Sequence, residues 1–104
     1  MLNEEYELRA LPLFEEDLNS IADYIAFTLH NPIAAEKLVD AVEKAVQERL
    51  KYPEAFEPYH SAKERAYPYR TITVKNYMVF YVVIGNVMEL RRFLYSRRNW
   101  QALI

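Results

Sequence analysis

Residues 69–100 contain a run rich in the apolar residues that favour β-strands, and two short groups of turn residues interrupt it. Valine, isoleucine, threonine, tyrosine and phenylalanine dominate the stretch, and the interruptions fall at Lys75-Asn76 and Gly85-Asn86. Asparagine and glycine tolerate the positive φ that two-residue hairpin loops require. The pattern predicts three antiparallel strands, of which the middle one, residues 77–84, is central because it is apolar on both faces.

Two-residue loops fix which residues of the three strands face each other. The predicted partners are Val74 with Tyr77, Ile72 with Val79 and Arg70 with Tyr81 in the first hairpin, and Ile84 with Val87, Tyr81 with Leu90 and Val79 with Arg92 in the second. In this register one face carries Arg70, Tyr81 and Arg92, and the other carries Glu89 and Arg91.

The first half of the chain has the periodicity of helices, preceded by a short strand. Residues 6–10 alternate between apolar and charged side chains, which predicts a strand that ends at Pro12. Apolar residues at spacings of three and four then predict one helix over residues 13–29 and a second over residues 32–52. Two helices so close in sequence are expected to form an antiparallel hairpin.

The helices carry their own end signals. Asn31 is expected to cap the second helix, with Pro32 in its first position. Glu15, Glu16 and Asp17, near the start of the first helix, are expected to form a surface that complements the helix dipole.

The remaining segments are less regular. Residues 53–68 lose all periodicity, which indicates an irregular connection. At the other end, Ser96 is placed to cap a short final helix. Trp100, Leu103 and Ile104 are expected to anchor that helix to the body of the protein.

Length and composition are those of one domain. A chain of 104 residues, 52% of them hydrophobic, suffices for a single core, so residues 1–104 are expected to form one domain. The absence of cysteine excludes disulfides, thiolate metal sites and a thiol nucleophile. His30 and His60 are far apart in the sequence, so neither a metal site nor a cofactor is expected. With no signal peptide and no apolar run long enough to span a bilayer, the expected location is the cytoplasm.

The charges are divided unevenly along the chain. Residues 1–64 contain 6 Lys and Arg against 14 Asp and Glu, whereas residues 65–104 contain 7 against 1. The basic half suits an anionic ligand such as nucleic acid or an acidic protein segment. The alternative is that the two halves mainly pair with each other.

The basic residues of the second half are interleaved with tyrosines. Guanidinium groups bind phosphate in bidentate fashion and aromatic rings stack on bases, so the composition is typical of an RNA-facing surface. A sheet core also uses tyrosines. The residues concerned are Arg65, Arg70, Lys75, Arg91, Arg92, Arg97 and Arg98, with Tyr69, Tyr77, Tyr81 and Tyr95 among them.

The order of several short motifs resembles the RelE/ParE superfamily of toxins from bacterial type II toxin-antitoxin modules. The motifs are IxxYI at Ile21-Ala22-Asp23-Tyr24-Ile25, NPxAA at Asn31-Pro32-Ile33-Ala34-Ala35, YR at Tyr69-Arg70, NYxxFY at Asn76-Tyr77-Met78-Val79-Phe80-Tyr81 and RRxW at Arg97-Arg98-Asn99-Trp100. The resemblance covers nearly the whole chain.

The resemblance implies a fold and a partner. The fold is an α+β domain of order β-α-α-β-β-β, in which an N-terminal helical hairpin packs on a twisted antiparallel sheet and a short C-terminal helix follows. The partner is a cognate antitoxin, whose extended or helical segment wraps the toxin. Positive charge on the basic half would speed its encounter with the antitoxin or the target.

The family divides by mechanism. RelE-like members are ribosome-dependent endoribonucleases that cut mRNA in the A site without a metal, whereas ParE-like members poison DNA gyrase and carry out no reaction of their own. Ribosome-dependent mRNA cleavage is the first interpretation of this sequence, and gyrase poisoning is the alternative. A degenerate toxin that only binds acidic peptides is a third.

For RNA cleavage the resemblance assigns roles to particular residues. Arg70, Arg97 and Arg98 would stabilise the phosphate and the charge of the transition state. Tyr95 would move protons, activated by its arginine neighbours, and Glu64 is a weaker candidate for that role. Nucleic-acid binding would fall to Arg65, Lys75, Arg91 and Arg92.

The sequence departs from the family pattern at the expected site. Many relatives read HGRRD where this chain reads Tyr95-Ser96-Arg97-Arg98-Asn99, so the histidine and the aspartate are absent. Met78 stands where RelE itself has an arginine. The long helical hairpin is closer to the ParE-like pattern.

Overall fold

The computed structural model describes residues 5–58 and 66–104, apart from the side chain of Gln101. The elements are β1 Glu7–Ala10, α1 Pro12–Asp23, a π-helical turn Tyr24–Thr28, α2 Pro32–Leu50, β2 Arg70–Val74, β3 Tyr77–Ile84, β4 Val87–Tyr95 and a short 3-10 helix Trp100–Ala102. The predicted α+β class and element order are confirmed.

The four strands form one sheet in the order β1-β4-β3-β2, with β3 in the interior as predicted. β2, β3 and β4 are antiparallel neighbours. β1, however, runs parallel to β4, so the sheet is mixed and not wholly antiparallel. The two helices separate β1 from the other strands in sequence, and its alternating pattern carries no information on the direction in which it enters the sheet.

The first hairpin has the predicted register, from Val74 opposite Tyr77 to Arg70 opposite Tyr81. The second hairpin follows the prediction only as far as Tyr81 opposite Leu90. A β-bulge then adds one residue to β4, so that Arg92 lies opposite Phe80. Arg92 is therefore on the opposite face of the sheet from Tyr81, which corrects the predicted grouping.

The helical hairpin covers one face of the sheet. Buried side chains of both helices meet buried side chains of all three antiparallel strands there. The members are Phe14, Leu38, Val42, Val46, Ile72, Val74, Val79, Tyr81, Met88, Leu90 and Phe93. The packing predicted for the hairpin is thus observed.

A smaller cluster covers the other face and explains why β3 is apolar on both sides. Tyr69, Phe80, Val82 and Leu94 are buried there. Trp100 packs on them with its ring centroid 5.3 Å from that of Phe80. The predicted anchoring of the C-terminal segment is confirmed for Trp100 and Ile104, whereas Leu103 is exposed.

The first helix changes its geometry before the hairpin turn. The N–H of Leu29 donates to the carbonyl of Tyr24 at 3.0 Å, a bond over five residues that makes this turn π-helical. His30 then adopts a positive φ of 53°. The predicted cap of α2 is confirmed, because the Asn31 side chain accepts from the N–H of Ala34 at 3.1 Å.

The expected cap at Ser96 is wrong. The N–H of Ser96 donates to the carbonyl of Asn76 at 2.8 Å, so this residue continues the pairing of β4 beyond its last strand residue. Asn99 precedes the short 3-10 helix, and its side chain forms no capping bond. Over the described ranges, no helix is long and apolar enough to cross a membrane.

Candidate functional site

The end of the sheet at the β2–β3 turn brings distant parts of the sequence together. Tyr77, the first residue of β3, lies opposite Val74 on one side and Tyr95 on the other. The hydrogen bond from Ser96 to Asn76 holds the chain after β4 beside the turn. Lys75 occupies the turn in a left-handed conformation, with a φ of 55°, and its side chain is exposed.

Tyr77 and Tyr95 meet at this end. The Tyr77 ring stacks on Phe93 at 5.3 Å and meets the edge of Tyr95 at 5.6 Å. Burial, followed by the neighbouring hydroxyls of Tyr95 and Tyr24, raises the pKa of Tyr77 above its ordinary value of 10.0. Tyr24, in the π-helical turn, lies near enough to Tyr77 to contribute to this rise in pKa, and its side chain is 55% exposed.

Arg97 and Arg98 lie in the tight turn that follows Tyr95. The N–H of Arg98 donates to the Tyr95 carbonyl at 3.0 Å, and the N–H of Trp100 donates to the Arg98 carbonyl at 2.7 Å. Because the indole of Trp100 is anchored on the sheet, the turn has a fixed place. Both arginine side chains are exposed, and neither forms a hydrogen bond or an ion pair with any described part of the chain.

We call this surface the tyrosine–arginine end. Its members are Tyr24, Lys75, Tyr77, Tyr95, Arg97 and Arg98. It combines three exposed cations with two exposed aromatic rings, which suits contact with phosphates, with stacked rings or with a protein partner.

Arg70 lies elsewhere. Arg70 and Val74 are the two ends of β2, about 13 Å apart, and Val74 is the end beside Tyr95. The Arg70 side chain is only 14% exposed and donates to the Phe56 carbonyl at 2.7 Å, with Glu54 at 4.0 Å. The structure therefore brings Tyr95, Arg97 and Arg98 together but leaves Arg70 apart from them.

Two of the residues expected to bind nucleic acid are held by carboxylates. Arg91 donates to Glu89 at 2.8 Å. Arg92 binds both oxygens of Asp17, at 2.7 and 3.1 Å, and is mostly buried. Of the others, Lys75 is at the tyrosine–arginine end. Arg65 lies outside the described residues, as do His60 and Glu64.

Asp17 is a structural residue that the sequence pattern did not identify. It was expected to be part of an acidic surface near the helix N-terminus, but only Glu15 lies in the first turn of α1. Besides binding Arg92, Asp17 accepts the backbone N–H of Phe93 at 3.0 Å. It thus occupies the edge of β4 beyond the point where β1 ends. The hydrogen bond that Arg92 donates to Asp17 raises the pKa of Arg92.

A second buried network was also missed, because a polar residue near the end of an apolar helix stripe gives no signal. Arg49 donates to the Thr71 carbonyl at 3.0 Å and to the Tyr81 hydroxyl at 2.9 Å. The Tyr81 hydroxyl donates in turn to the Pro53 carbonyl at 2.6 Å. The network ties the segment after α2 to the sheet.

Within the described ranges, no group of three His, Asp or Glu side chains is placed to hold a metal ion.

Comparison with known proteins places this fold in a family. The family model of the ParE toxin of the type II toxin-antitoxin system parDE matches residues 8–100. A solved structure of the chromosomal ParDE toxin-antitoxin system from P. aeruginosa is similar with a TM-score of 0.73 and 19% identity, over 90% of this chain and 99% of that one. A copper-bound mutant toxin from Helicobacter pylori is similar with a TM-score of 0.55 and 19% identity, over 86% of this chain and 93% of that one. No curated protein matches the sequence. With the match extending over nearly its whole length, the chain belongs to the ParE toxin family of type II toxin-antitoxin systems.

Proposed function

We propose that this toxin arrests growth by acting on DNA gyrase and that it cleaves no RNA. The observation that carries the proposal is the separation of the residues expected to catalyse cleavage. Arg70 is about 13 Å along β2 from the end that holds Tyr95, Arg97 and Arg98. The order of the two interpretations drawn from the sequence is therefore reversed.

The chemistry of RNA cleavage explains why this separation matters. A 2′-hydroxyl attack needs a base, an acid and positive charge within reach of one phosphate. The tyrosine–arginine end supplies charge from Arg97 and Arg98 and one candidate proton carrier, Tyr95. Arg70 is bound to a carbonyl, and Arg91 and Arg92 are bound to carboxylates. A complete acid–base pair is not assembled by the described residues.

Membership of the ParE family gives the proposal a second support. The resemblance seen in the sequence implies that ParE-like members poison gyrase through binding alone. Binding requires an exposed surface rich in the residues that contribute most to interfaces, which are tyrosine, tryptophan and arginine. The tyrosine–arginine end offers Tyr24, Tyr95, Arg97 and Arg98 on a fixed support.

Two parallel assays on the purified full chain test the choice of target. In the first, DNA gyrase supercoils relaxed plasmid with increasing amounts of the protein. In the second, primer extension maps the ends of a reporter mRNA in a translating extract, with ribosomes omitted as a control. The proposal expects loss of supercoiling and intact mRNA, and new mRNA ends with unimpaired gyrase would contradict it.

Ribosome-dependent cleavage stays as the second candidate, because Tyr95 lies in the same turn as the exposed side chains of Arg97 and Arg98. New mRNA ends that require ribosomes would establish this candidate. A protein that affects neither gyrase nor mRNA would support the third interpretation, that of a degenerate toxin.

A further inference from the structure

Among the residues that the structure describes, β1 is an edge strand of the sheet and β4 is its one strand neighbour. Three of its four residues, Glu7, Leu8 and Arg9, are exposed. Leu8 is 39% exposed although it lies on the face that the helices cover. An exposed strand edge is a template for pairing with another chain unless the protein blocks it.

The hydrogen bonds to β4 show which backbone groups face outwards. The N–H of Glu7 donates to the Asn86 carbonyl at 2.7 Å, and the N–H of Leu11 donates to the Leu90 carbonyl at 3.0 Å. In a parallel pair, alternate residues direct both backbone groups to the neighbour. The N–H and C=O of Leu8 and Ala10 therefore point away from the sheet, towards the open edge.

We propose that this edge pairs with the same edge of a second copy of the chain, in an antiparallel arrangement with its two-fold axis at Leu8. The outward backbone groups of Leu8 support it, because Leu8 would exchange two hydrogen bonds with Leu8 of the second copy. The two sheets would join into one sheet of eight strands. This proposal concerns self-association and does not depend on the target of the toxin.

The charges of β1 are complementary in this register. Glu7 of each copy would lie directly opposite Arg9 of the other, on the face away from the helices. Charged side chains, especially lysine, protect many strand edges, and they repel a second copy when equal charges face each other. The exposed residues of β1 carry one charge of each sign, so opposite charges face each other on both sides of the two-fold axis.

Arg9 is already oriented for such a contact. Its Nη1 donates to Oε2 of Glu89 at 3.1 Å, while Arg91 donates to the other oxygen of Glu89 at 2.8 Å. Glu89 is buried, whereas the Arg9 side chain is 55% exposed and has further N–H groups. Pairing would extend this row to Arg91, Glu89, Arg9 and then Glu7 of the second copy, with the charges alternating throughout.

The contact is small, which sets the expected affinity. One short pair of strands buries less surface than a permanent dimer, so the dissociation constant is expected in the range of about 10 to 100 μM. In sedimentation equilibrium of the full chain, the average mass should rise from 12.4 kDa towards twice that value as the concentration increases from about 5 to about 500 μM. A constant 12.4 kDa over this range would overturn the proposal.

A cross-link identifies the edge. The chain has no cysteine, so Leu8→Cys introduces a single thiol at the proposed axis. Residues paired there have Cα atoms about 5.5 Å apart, which a disulfide can span. Oxidation with diamide should convert Leu8→Cys to a covalent dimer at least about ten times faster than Leu29→Cys, an exposed leucine of the hairpin turn. Equal rates would contradict the proposal.

Two further variants separate this pairing from other associations. Glu7→Arg makes the facing charges alike and should weaken the dimer about tenfold, whereas Glu43→Arg, the same change on exposed α2, should leave it unchanged. Leu8→Pro removes one outward N–H while sparing the bonds to β4. If the edge instead accepts an antitoxin segment, the toxin alone stays monomeric and Leu8→Pro weakens the complex, which overturns the proposal.

Discussion

Asp17 and Arg92 form an ion pair between α1 and β4, in which both carboxylate oxygens accept from one guanidinium, at 2.7 and 3.1 Å. The pair is mostly buried, and Asp17 also accepts the N–H of Phe93. The ion pair holds α1 against β4 next to the β-bulge, where the regular pairing of β4 with β3 is interrupted. The two halves of the chain, one acidic and one basic, are joined at this point.

Removing the Asp17 carboxylate should destabilise the fold, because it leaves a mostly buried guanidinium and a backbone N–H without their partner. We expect Asp17→Ala to lower the free energy of unfolding by about 2–4 kcal/mol. Urea unfolding at pH 7 measures the change. Glu16→Ala, the exposed neighbour on the same helix, is the control and should change it by about 0.5 kcal/mol or less. Equal effects of the two variants would contradict this role.

The stability contributed by Glu89 should depend on pH. Burial by itself would raise the pKa of Glu89, but hydrogen bonds from Arg9 and Arg91 outweigh it and hold the pKa below 4.5. A group whose pKa is lowered on folding contributes stability above its unfolded pKa, and loses it as the pH falls through the folded pKa. Glu89→Gln should therefore cost about 1–3 kcal/mol at pH 7 and clearly less near pH 3.

Urea unfolding of the wild type and Glu89→Gln at several pH values tests this expectation. Glu43→Gln, an exposed glutamate of α2, supplies the control and should track the wild type at every pH. If the difference in the free energy of unfolding between wild type and Glu89→Gln stays constant from pH 7 to pH 3, the lost interaction does not depend on the charge of Glu89.

The buried hydroxyl of Tyr81 should also matter for stability. It accepts from Arg49 at 2.9 Å and donates to Pro53 at 2.6 Å. Tyr81→Phe leaves both partners short of a hydrogen bond and should cost about 1–3 kcal/mol in chemical denaturation. Tyr52→Phe, at an exposed position on the same segment, should cost about 0.5 kcal/mol or less. A neutral Tyr81→Phe would mean that water replaces the lost bonds.

Much of the fold followed from the sequence because local signals determined it. The Lys75-Asn76 loop and the alternating side chains around it fixed the first hairpin, and Asn31-Pro32 fixed the start of α2. The parallel direction of β1 had no such local signal, because the helical hairpin lies between β1 and the other strands in sequence. The β-bulge after Leu90 was equally hidden, because the run from Leu90 to Leu94 has no alternation that marks an extra residue.

The candidate site was predicted in part. Tyr95, Arg97 and Arg98 lie together because they are neighbours in sequence, and their roles stay predictions. Arg70 was added because of the family resemblance, although the predicted register already placed it at the far end of β2 from Tyr95. Tyr24 was missed, because it lies in the helical hairpin, far in sequence from the other members of this end.

Tyr24 should contribute to toxicity without supporting the fold, because its side chain is 55% exposed at the tyrosine–arginine end. We expect Tyr24→Ala to weaken growth arrest on expression, with about a tenfold higher level of toxin needed for the same arrest. Tyr52→Ala, an exposed tyrosine on a different surface, should retain full toxicity. Thermal unfolding of both variants excludes a loss of folding, and equal toxicity of the two would place Tyr24 outside the functional surface.

The central claim is that the toxin inhibits gyrase through the tyrosine–arginine end. The most direct measurement is the concentration of protein that halves the supercoiling activity of gyrase, for the wild type and two double variants. Arg97→Ala with Arg98→Ala removes two charges from this end, and Lys37→Ala with Lys44→Ala removes two from exposed positions on α2. The account predicts a rise of about tenfold or more for the arginine variant and less than about twofold for the lysine variant. Inhibition that survives unchanged in the arginine variant, or wild-type protein that leaves gyrase fully active, would contradict it.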